Sequence, residues 1–207
     1  MSLLRKDLPP EVAARIPPGN RLAKGWPVLN HSRTPEFHER SWDLRVFGEV
    51  ANPFTLTYGE LKALPQVEVG ADFHCVTGWS ALGFTWTGVS FWTLAEMAKP
   101  LPAAQWVITH CEYGYTSNLS LEAMMDDDVF VAWGNNGEPL DPKHGYPLRL
   151  VVPKRYAWKS AKWVRGFEFT RENVRGFWEE RGYHIHADPW TEERYSDQEG
   201  PGAEREP

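Results

Sequence analysis

Short strand-like segments recur along this chain, and they limit its possible folds more than any other feature. Two of them, 42–50 and 66–77, alternate apolar with polar residues, as half-buried β-strands do. Further strand-like segments lie at 104–110, 128–134, 147–153 and 162–170. By contrast, 58–65 and 91–100 fit short helices that end at proline. Strands outnumber the short helices, which predicts an α+β fold with mixed β-sheets.

The two ends of the chain differ in composition from its middle. Residues 1–25 are rich in proline, and we expect an extended N-terminal arm. Residues 26–190 contain all the predicted strands and should form one domain. Residues 191–207 are acidic, and we expect a C-terminal tail with a disordered end. The sequence shows no secretory signal and no apolar run long enough to span a bilayer, so we expect a cytoplasmic protein without membrane insertion.

Charge is unevenly distributed along the chain. The net charge of −6 argues against a general affinity for nucleic acid. The segment 142–167 nevertheless lacks Asp and Glu. Its basic residues are Lys143, Arg149, Lys154, Arg155, Lys159, Lys162 and Arg165. A basic segment within an acidic protein indicates a specific anion site.

Two parts of this basic segment suit phosphate. Arg149 lies between apolar residues, where exposure to solvent explains it poorly, and its planar fork matches phosphate geometry. The segment "WKSAK" (158–162) offers Ser160, Lys162 and the backbone N–H groups between them as an anion-binding turn. One alternative is a set of ordinary surface lysines beside a strand. Another is a platform for single-stranded nucleic acid, against which the overall acidity argues.

Both cysteines of the chain follow a histidine, in the pairs His74-Cys75 and His110-Cys111. Neighbours on a strand point to opposite faces, so the members of one pair cannot easily bind the same metal ion. The chain has no C-x-x-C spacing, so a zinc site would require the two pairs to converge. Cys111 is more simply interpreted as a buried small hydrophobic residue, and His74 as a structural histidine.

Cys75 differs because turn-forming residues follow it, namely Thr77, Gly78 and Ser80. A thiolate at the end of a strand, before such a turn, has open space at its sulfur. It suits a soft or high-valent metal that is held by few protein atoms. A cysteine nucleophile with a histidine base would have a similar sequence. The residues alone leave both interpretations open.

Together these segments resemble the molybdopterin-dependent oxidoreductases of the sulfite oxidase type. The resemblance is carried by "LNHSRTP" (29–35), "WDLRVFGEV" (42–50), "FHCVTGWS" (73–80), "AWGNNGEPLDPKHGYPLRLVVP" (132–153) and "WKSAKWV" (158–164). The ending "WEERGYHIHADPWTEERY" (178–195) is similar to that of a stand-alone bacterial branch, which includes the catalytic subunit of methionine-sulfoxide reductase. The resemblance implies the sulfite oxidase-type molybdopterin-binding fold and a molybdenum-molybdopterin cofactor.

The resemblance also implies the residues of the site. Cys75 would be the catalytic residue and the protein thiolate bonded to molybdenum. The positions that would contact the cofactor are Asn30, His31, Cys111, His144, Arg149, Ser160, Ala161 and Lys162. Of these, Arg149, Ser160 and Lys162 would bind the cofactor phosphate, with help from the backbone near Ala161.

Departures from the family pattern concern the substrate. Sulfite oxidases carry arginines where this chain has Leu29, Trp79 and Ser80, and such charges hold a small dianion. The differences argue against sulfite, although Arg33 is a candidate replacement. We therefore expect two-electron oxygen-atom transfer on a small substrate, either reduction of an S-oxide or N-oxide or oxidation of a small sulfur compound. The sequence has no haem, iron–sulfur or flavin motif, so a separate redox partner protein would exchange the electrons.

Two hypotheses from other functional classes stay open. A non-catalytic anion-binding protein would keep the basic segment, and a cysteine-nucleophile hydrolase would need Cys75 to react as a thiol. Neither explains why the cysteine turn and the basic segment occur together. Some aromatic residues are expected to line the pocket while others belong to the core; the candidates are Trp79, Trp86, Tyr113 and Tyr115.

Overall fold

A computed structural model describes residues 3–201, which form twelve β-strands, four α-helices and several 3-10 turns. The strands are β1 (Leu3–Leu4), β2 (Arg21–Leu22), β3 (Asp43–Gly48), β4 (Phe54–Thr57), β5 (Val67–Cys75), β6 (Trp79–Ser90), β7 (Trp106–Cys111), β8 (Thr116–Ser120), β9 (Phe130–Asn135), β10 (Glu138–Pro139), β11 (Arg149–Val151) and β12 (Val164–Thr170). The helices are α1 (Pro10–Ala13), α2 (Tyr58–Ala63), α3 (Phe91–Ala98) and α4 (Leu121–Met124). Within this range no helix has the length and apolar character needed to cross a membrane.

The strands form two mixed sheets, which confirms the predicted α+β class. The larger sheet has the order β1-β2-β6-β9-β10, with β5 paired to β6 and β11 paired to β9. The smaller sheet has the order β4-β3-β12-β7-β8, in which β12 runs parallel to β3 and antiparallel to β7. The predicted strands and helices are all present, and the elements that were not predicted are the strands β1, β2, β4, β6, β8 and β10 and the one-turn helices α1 and α4.

The main core lies between the two sheets. In β9, Val131 points into this core, while its neighbours Phe130 and Ala132 point into a second apolar cluster on the opposite face. A strand that is buried on both faces is continuously apolar, as residues 130–133 of β9 are. Helix α3 adds Phe91 to the main core, where its ring packs 5.2 Å from that of Phe167.

Both terminal segments contact the rest of the domain. In the arm, β2 pairs in parallel with the start of β6, and Ile16 is fully buried. In the C-terminal segment, Glu199 forms an ion pair with Arg175 at 2.5 Å, and the carbonyl of Arg194 accepts a hydrogen bond from the backbone of His184. Paired charges thus order an acidic sequence up to residue 201. Residues 202–207 of the predicted tail lie outside the described residues.

Candidate active site

A cavity of about 410 Å³ lies where the Cys75 turn meets the segments 26–32 and 157–163. The candidate site residues that line it are Asn30, His31, Cys75, His144, Arg149, Ser160, Ala161 and Lys162. These residues come from separate parts of the chain, and the two-sheet fold brings them to one place.

Cys75 ends β5, and residues 76–78 turn the chain into β6. Gly78 has a φ of 87°, which favours glycine, and its N–H donates to the carbonyl oxygen of Cys75 at 3.1 Å. The Sγ of Cys75 lies 3.2 Å from Oγ1 of Thr77. Burial raises the pKa of the Cys75 thiol above its usual value, and the hydrogen bond with Thr77 offsets only part of this rise. The thiol therefore stays neutral until a cation near the sulfur favours the thiolate.

Arg149 is a buried cation on β11, with only 2% of its surface exposed. Its Nη1 and Nη2 donate to the carbonyl oxygens of His144 and Ser160, each at 2.8 Å. Its guanidinium carbon lies 4.7 Å from the ring centroid of Phe73 and 5.3 Å from that of Trp26. Burial lowers the pKa of Arg149 to about 9. Since its hydrogen-bond partners among the described residues are carbonyl groups, its charge lacks a counterion there, and a bound anion would stabilise it.

Lys162 is a second cation in the same cavity, and an isolated β-bridge joins it to Arg149. Its Nζ donates to the carbonyl oxygens of Leu29 at 2.8 Å and Lys143 at 3.1 Å, and to the side-chain oxygen of Asn30. Burial, and then the charge of Arg149, lower the pKa of Lys162 to about 7. Within the described part of the chain, none of these partners is a carboxylate either.

Ser160 and Ala161 are buried and line the cavity beside these two cations. The Oγ of Ser160 accepts a hydrogen bond from the backbone of Val152 at 2.9 Å, which leaves the hydroxyl hydrogen available to a ligand. The preceding Lys159 points away from the cavity, and its Nζ lies 2.5 Å from Oε1 of the fully buried Glu179. Lys159 therefore has a carboxylate partner, whereas within the described part of the chain Arg149 and Lys162 donate to carbonyl and amide oxygens only.

His144 packs against Trp26, with ring centroids 3.8 Å apart and nearly parallel planes. Its Nε2 lies 3.3 Å from the carbonyl oxygen of Trp26. Burial and the charge of Arg149 lower the pKa of His144, so the imidazole is neutral at pH 7. Gly145, which follows it, has a φ of 119°, and a Cβ there would lie 2.9 Å from that of Arg149.

Much of the remaining wall of the cavity is aromatic. Of the four candidates from the sequence, Trp79 and Tyr115 line it, Trp86 is fully buried in the second apolar cluster, and Tyr113 is exposed. The Tyr115 hydroxyl donates to the carbonyl oxygen of Trp158 at 2.7 Å. Six further aromatic residues line the wall, and nothing in their local sequence pattern predicted this position; they are Trp26, Phe73, Trp158, Trp163, Trp178 and Tyr183.

Residues 31–178 match the model of the oxidoreductase molybdopterin binding domain family. The chain belongs to this family. It is 44% identical over 185 residues to the uncharacterized oxidoreductase YuiH of Bacillus subtilis, covering 89% of this chain and 93% of YuiH. These findings confirm the predicted family and the prediction that the chain is an oxidoreductase.

Two longer members of the family are also similar. The protein-methionine-sulfoxide reductase catalytic subunit MsrP of Campylobacter jejuni is 29% identical, and the match covers 76% of this chain and 60% of MsrP. The crystal structure of the sulfane dehydrogenase SoxCD from Paracoccus pantotrophus is 26% identical and superimposes with a TM-score of 0.65. That match covers 71% of this chain and 42% of the SoxCD chain, and it confirms the molybdopterin-binding fold predicted from the resemblance.

Cys111 is the candidate residue that the structure keeps away from the cavity lining. It ends β7 and belongs to the main core, where burial raises its pKa well above the usual range. Both cysteines are free thiols. The described residues also contain no group of three or more His, Cys, Asp or Glu side chains that could hold a metal ion, so the zinc alternative gains no support.

Two other residues also lie outside the cavity. The Nδ1 of His74 lies 2.9 Å from Oγ of Ser80, and burial lowers the pKa of His74 to about 4, as suits a neutral structural histidine. Arg33 is exposed, and its Nε lies 3.3 Å from the hydroxyl of Tyr113. Arg33 therefore does not add a cation to the cavity lining.

Proposed function

We propose that this chain is a molybdenum-cofactor oxidoreductase that performs two-electron oxygen-atom transfer on a small substrate of low charge. The observation that carries the proposal is the combination, in one cavity, of the Cys75 thiol with two cations, the buried Arg149 and the half-buried Lys162. A soft thiolate and an anion site suit a cofactor that carries both a metal and a phosphate. A hydrolase would not need the two cations, and an anion-binding protein would not need the thiol.

The residues present fit molybdopterin. Arg149, Ser160 and Lys162, with the backbone at Ala161, would bind the phosphate. Asn30, His31 and His144 would contact the pterin, and Cys75 would bind molybdenum through its thiolate. The buried guanidinium of Arg149, whose partners among the described residues are carbonyl oxygens, is the direct support for this assignment.

The bound cofactor supplies the two-electron chemistry, and the protein supplies position and electrostatics. The turn 76–78 holds Cys75 at the cavity wall, and the Thr77 hydroxyl stabilises negative charge on its sulfur. Arg149 remains protonated at neutral pH, since its pKa is about 9. Lys162, with a pKa of about 7, gains a proton as an anion approaches, because the anion favours its charged form.

The cavity wall indicates the charge of the substrate. Of the described lysine and arginine side chains, Arg149 and Lys162 are those that line the cavity, and both are assigned to the phosphate. Neutral groups such as Trp79, Tyr115 and Tyr183 make up the rest of the wall. A dianion such as sulfite would have no further cation to offset its desolvation, whereas an S-oxide or N-oxide would not need one. The likeness to a protein-methionine-sulfoxide reductase supports an S-oxide.

The proposal includes a separate redox partner protein and a cytoplasmic location. The partner is supported by the sequence, which has no second redox-centre motif, and by the description of MsrP as a catalytic subunit. The location is supported by the two free thiols, which are typical of a reducing compartment. Detection of the chain in a cytosolic rather than a periplasmic fraction checks the second point.

The test is elemental analysis of molybdenum in protein from a host that makes the cofactor, together with an S-oxide reduction assay driven by a reduced dye. Wild type, Cys75→Ser and Cys111→Ser are compared. Cys111→Ser is the matched control, because Cys75 and Cys111 are both 8% exposed but only Cys75 lines the cavity. We expect about one molybdenum per chain and full activity in wild type and control, and no activity in Cys75→Ser.

Two results would replace the proposal by an alternative. If none of the three proteins contains molybdenum and sulfate binding survives Cys75→Ser, the chain is an anion-binding protein. If the metal-free wild type forms a covalent acyl adduct at Cys75 and turns over an ester, it is a cysteine hydrolase.

A further inference from the structure

The turn that carries Cys75 is held from one side by the N-terminal arm. The Nδ2 of Asn20 donates to the carbonyl oxygens of Trp79 at 2.9 Å and Cys75 at 3.3 Å. The backbone N–H of Arg21 donates to the carbonyl oxygen of Gly78 at 3.1 Å. Asn20 is buried, with 6% of its surface exposed. A side-chain amide thus joins both ends of the 75–79 turn.

The same turn is held from the other side by the C-terminal segment. The Nη1 of Arg194 donates to the carbonyl oxygen of Val76, the residue directly after Cys75. Its guanidinium carbon lies 5.0 Å from the ring centroid of Tyr156, and its side chain is 16% exposed. Arg194 points toward the back of the turn and is not part of the cavity lining.

The two supports are connected to each other. The Nη2 of Arg194 lies 3.2 Å from Oδ1 of Asn20 and 3.4 Å from the carbonyl oxygen of Pro18. Gly19 permits this approach, because a Cβ at that position would lie 2.7 Å from Nη2 of Arg194. Residues that are 174 positions apart therefore form one unit behind the turn, and both lie outside the segment 31–178 that matches the family model.

We propose that Asn20 and Arg194 form a clamp that fixes the backbone of the 75–79 turn, and thereby sets where the Cys75 sulfur meets the cavity. They are positioning residues, since neither lines the cavity. The inference rests on the proposed function in one respect, namely that Cys75 binds molybdenum. A turn that is fixed through its carbonyl groups keeps the sulfur in place at little cost when metal binds, because the backbone is already ordered.

The test compares Asn20→Ala, Arg194→Met and Arg194→Lys with wild type. Arg15→Gln is the matched control, because Arg15 joins the same arm to β5 through Asp72 at 2.5 Å without touching the turn. The first measurement is amide hydrogen exchange of residues 76–80 in the cofactor-free protein. The second is molybdenum per chain, and the third is the midpoint potential of the bound molybdenum.

We expect exchange in the turn to be about tenfold faster in Asn20→Ala and Arg194→Met. These variants should lose at least about half of their molybdenum, and the metal that remains should have a shifted midpoint potential. Arg194→Lys keeps a donor for Val76 but cannot also reach Asn20. Its exchange rate, molybdenum content and midpoint potential should therefore lie between those of wild type and Arg194→Met. The Arg15→Gln control should match wild type in all three measurements.

The outcomes separate this inference from the proposed function. Molybdenum in wild type, with exchange, metal content and potential unchanged in all clamp variants, overturns the clamp and leaves the function standing. Equal losses in Arg15→Gln also overturn it, because they would show a general effect of the arm. Wild type without molybdenum overturns the proposed function. In that case the clamp is tested by hydrogen exchange alone, and exchange of residues 76–80 that is no faster in the clamp variants than in wild type would reject it. If Arg194→Met does not fold, Arg194→Lys and Asn20→Ala decide.

Discussion

Replacing Glu179 by Gln tests how the loop that carries Ser160 and Lys162 is held in place. Beneath this loop, Nζ of Lys159 lies 2.5 Å from Oε1 of Glu179, and both side chains are fully buried. The same carboxylate oxygen accepts a hydrogen bond from Nε1 of Trp158 at 2.8 Å. Two consecutive residues of the loop are thus attached to one carboxylate.

The size of the effect follows from the burial of this pair. Removing one partner of a buried ion pair costs about 3–5 kcal/mol, because the other charge stays buried without compensation. Lys159 also donates to Asn118 at 2.7 and 3.0 Å, and burial lowers its pKa, so it can lose its proton rather than remain a lone cation. We therefore expect the lower end, about 3 kcal/mol, which in a chain of this size lowers the melting temperature by about 6–12 °C.

The assay is thermal and urea unfolding of Glu179→Gln, Lys159→Met and the double variant. Because the double variant removes both charges together, it should be less destabilised than the sum of the single variants by at least about 2 kcal/mol. Arg171→Gln, which breaks an exposed ion pair with Glu49, should leave the midpoint unchanged. Small and additive effects of the two single variants would refute the reasoning, since they would mean that the pair does not hold the loop.

Two further predictions concern the anion site. The first concerns Lys162, whose pKa in the folded chain is about 7. Below that pH its buried charge reduces the free energy of unfolding. This cost decreases as the pH rises from about 7 toward the ordinary lysine pKa, because the folded state releases the proton before the unfolded state does. Sulfate keeps its charge in this range, so its affinity for the cofactor-free chain should fall as the pH rises through about 7. If a Lys162→Met variant showed the same pH profile of sulfate binding, Lys162 would not be part of the anion site. Gly145→Ala should lower both stability, by about 1–3 kcal/mol, and molybdenum content, because the new Cβ displaces Arg149. Gly25→Ala is the control, because Gly25 has a φ of 79° but a Cβ there would meet no atom within 4 Å, so only stability should fall. Equal molybdenum contents in Gly145→Ala and Gly25→Ala would refute the displacement of Arg149.

The sequence predicted the strands whose apolar pattern is local and missed β6, whose pattern depends on distant contacts. The segment 79–90 contains Gly83 and Gly88, which are typical of turns. In the structure, Gly83 has a φ of 80° beside a register shift of the β5–β6 pair, and Gly88 lies against β9, where a Cβ would be 2.8 Å from the Cα of Ala132. Gly83 is favoured by its positive φ at an irregular point of the ladder, and Gly88 by the close approach of β9, so neither glycine marks a turn between strands. A single sequence does not contain that information.

The same distinction separates the site residues that were predicted from those that were missed. Cys75, Arg149 and Lys162 lie in long motifs with unusual chemistry, and the motifs made them visible. Asn20 lies in a proline-rich segment, and Arg194 in an acidic one that resembles a solvated tail. Their common role is visible only from the contacts that join them across the fold. Cys111 shows the converse, because the residues alone indicated a buried hydrophobic cysteine and only the resemblance implied a cofactor contact. Its side chain lies in the main core and outside the cavity lining.

Three basic residues around the cavity show why burial by itself does not identify a ligand site. Lys159 is the most deeply buried of them, yet Glu179 compensates its charge, so its role is structural. Arg149 and Lys162 have only carbonyl and amide oxygens as partners among the described residues, and Arg149 further lowers the pKa of Lys162. Keeping two such cations together reduces the stability of the cofactor-free chain. A bound phosphate offsets this cost, so the cofactor-loaded protein should melt at a higher temperature than the cofactor-free protein. The Arg149→Met variant should show a smaller difference between these two melting temperatures.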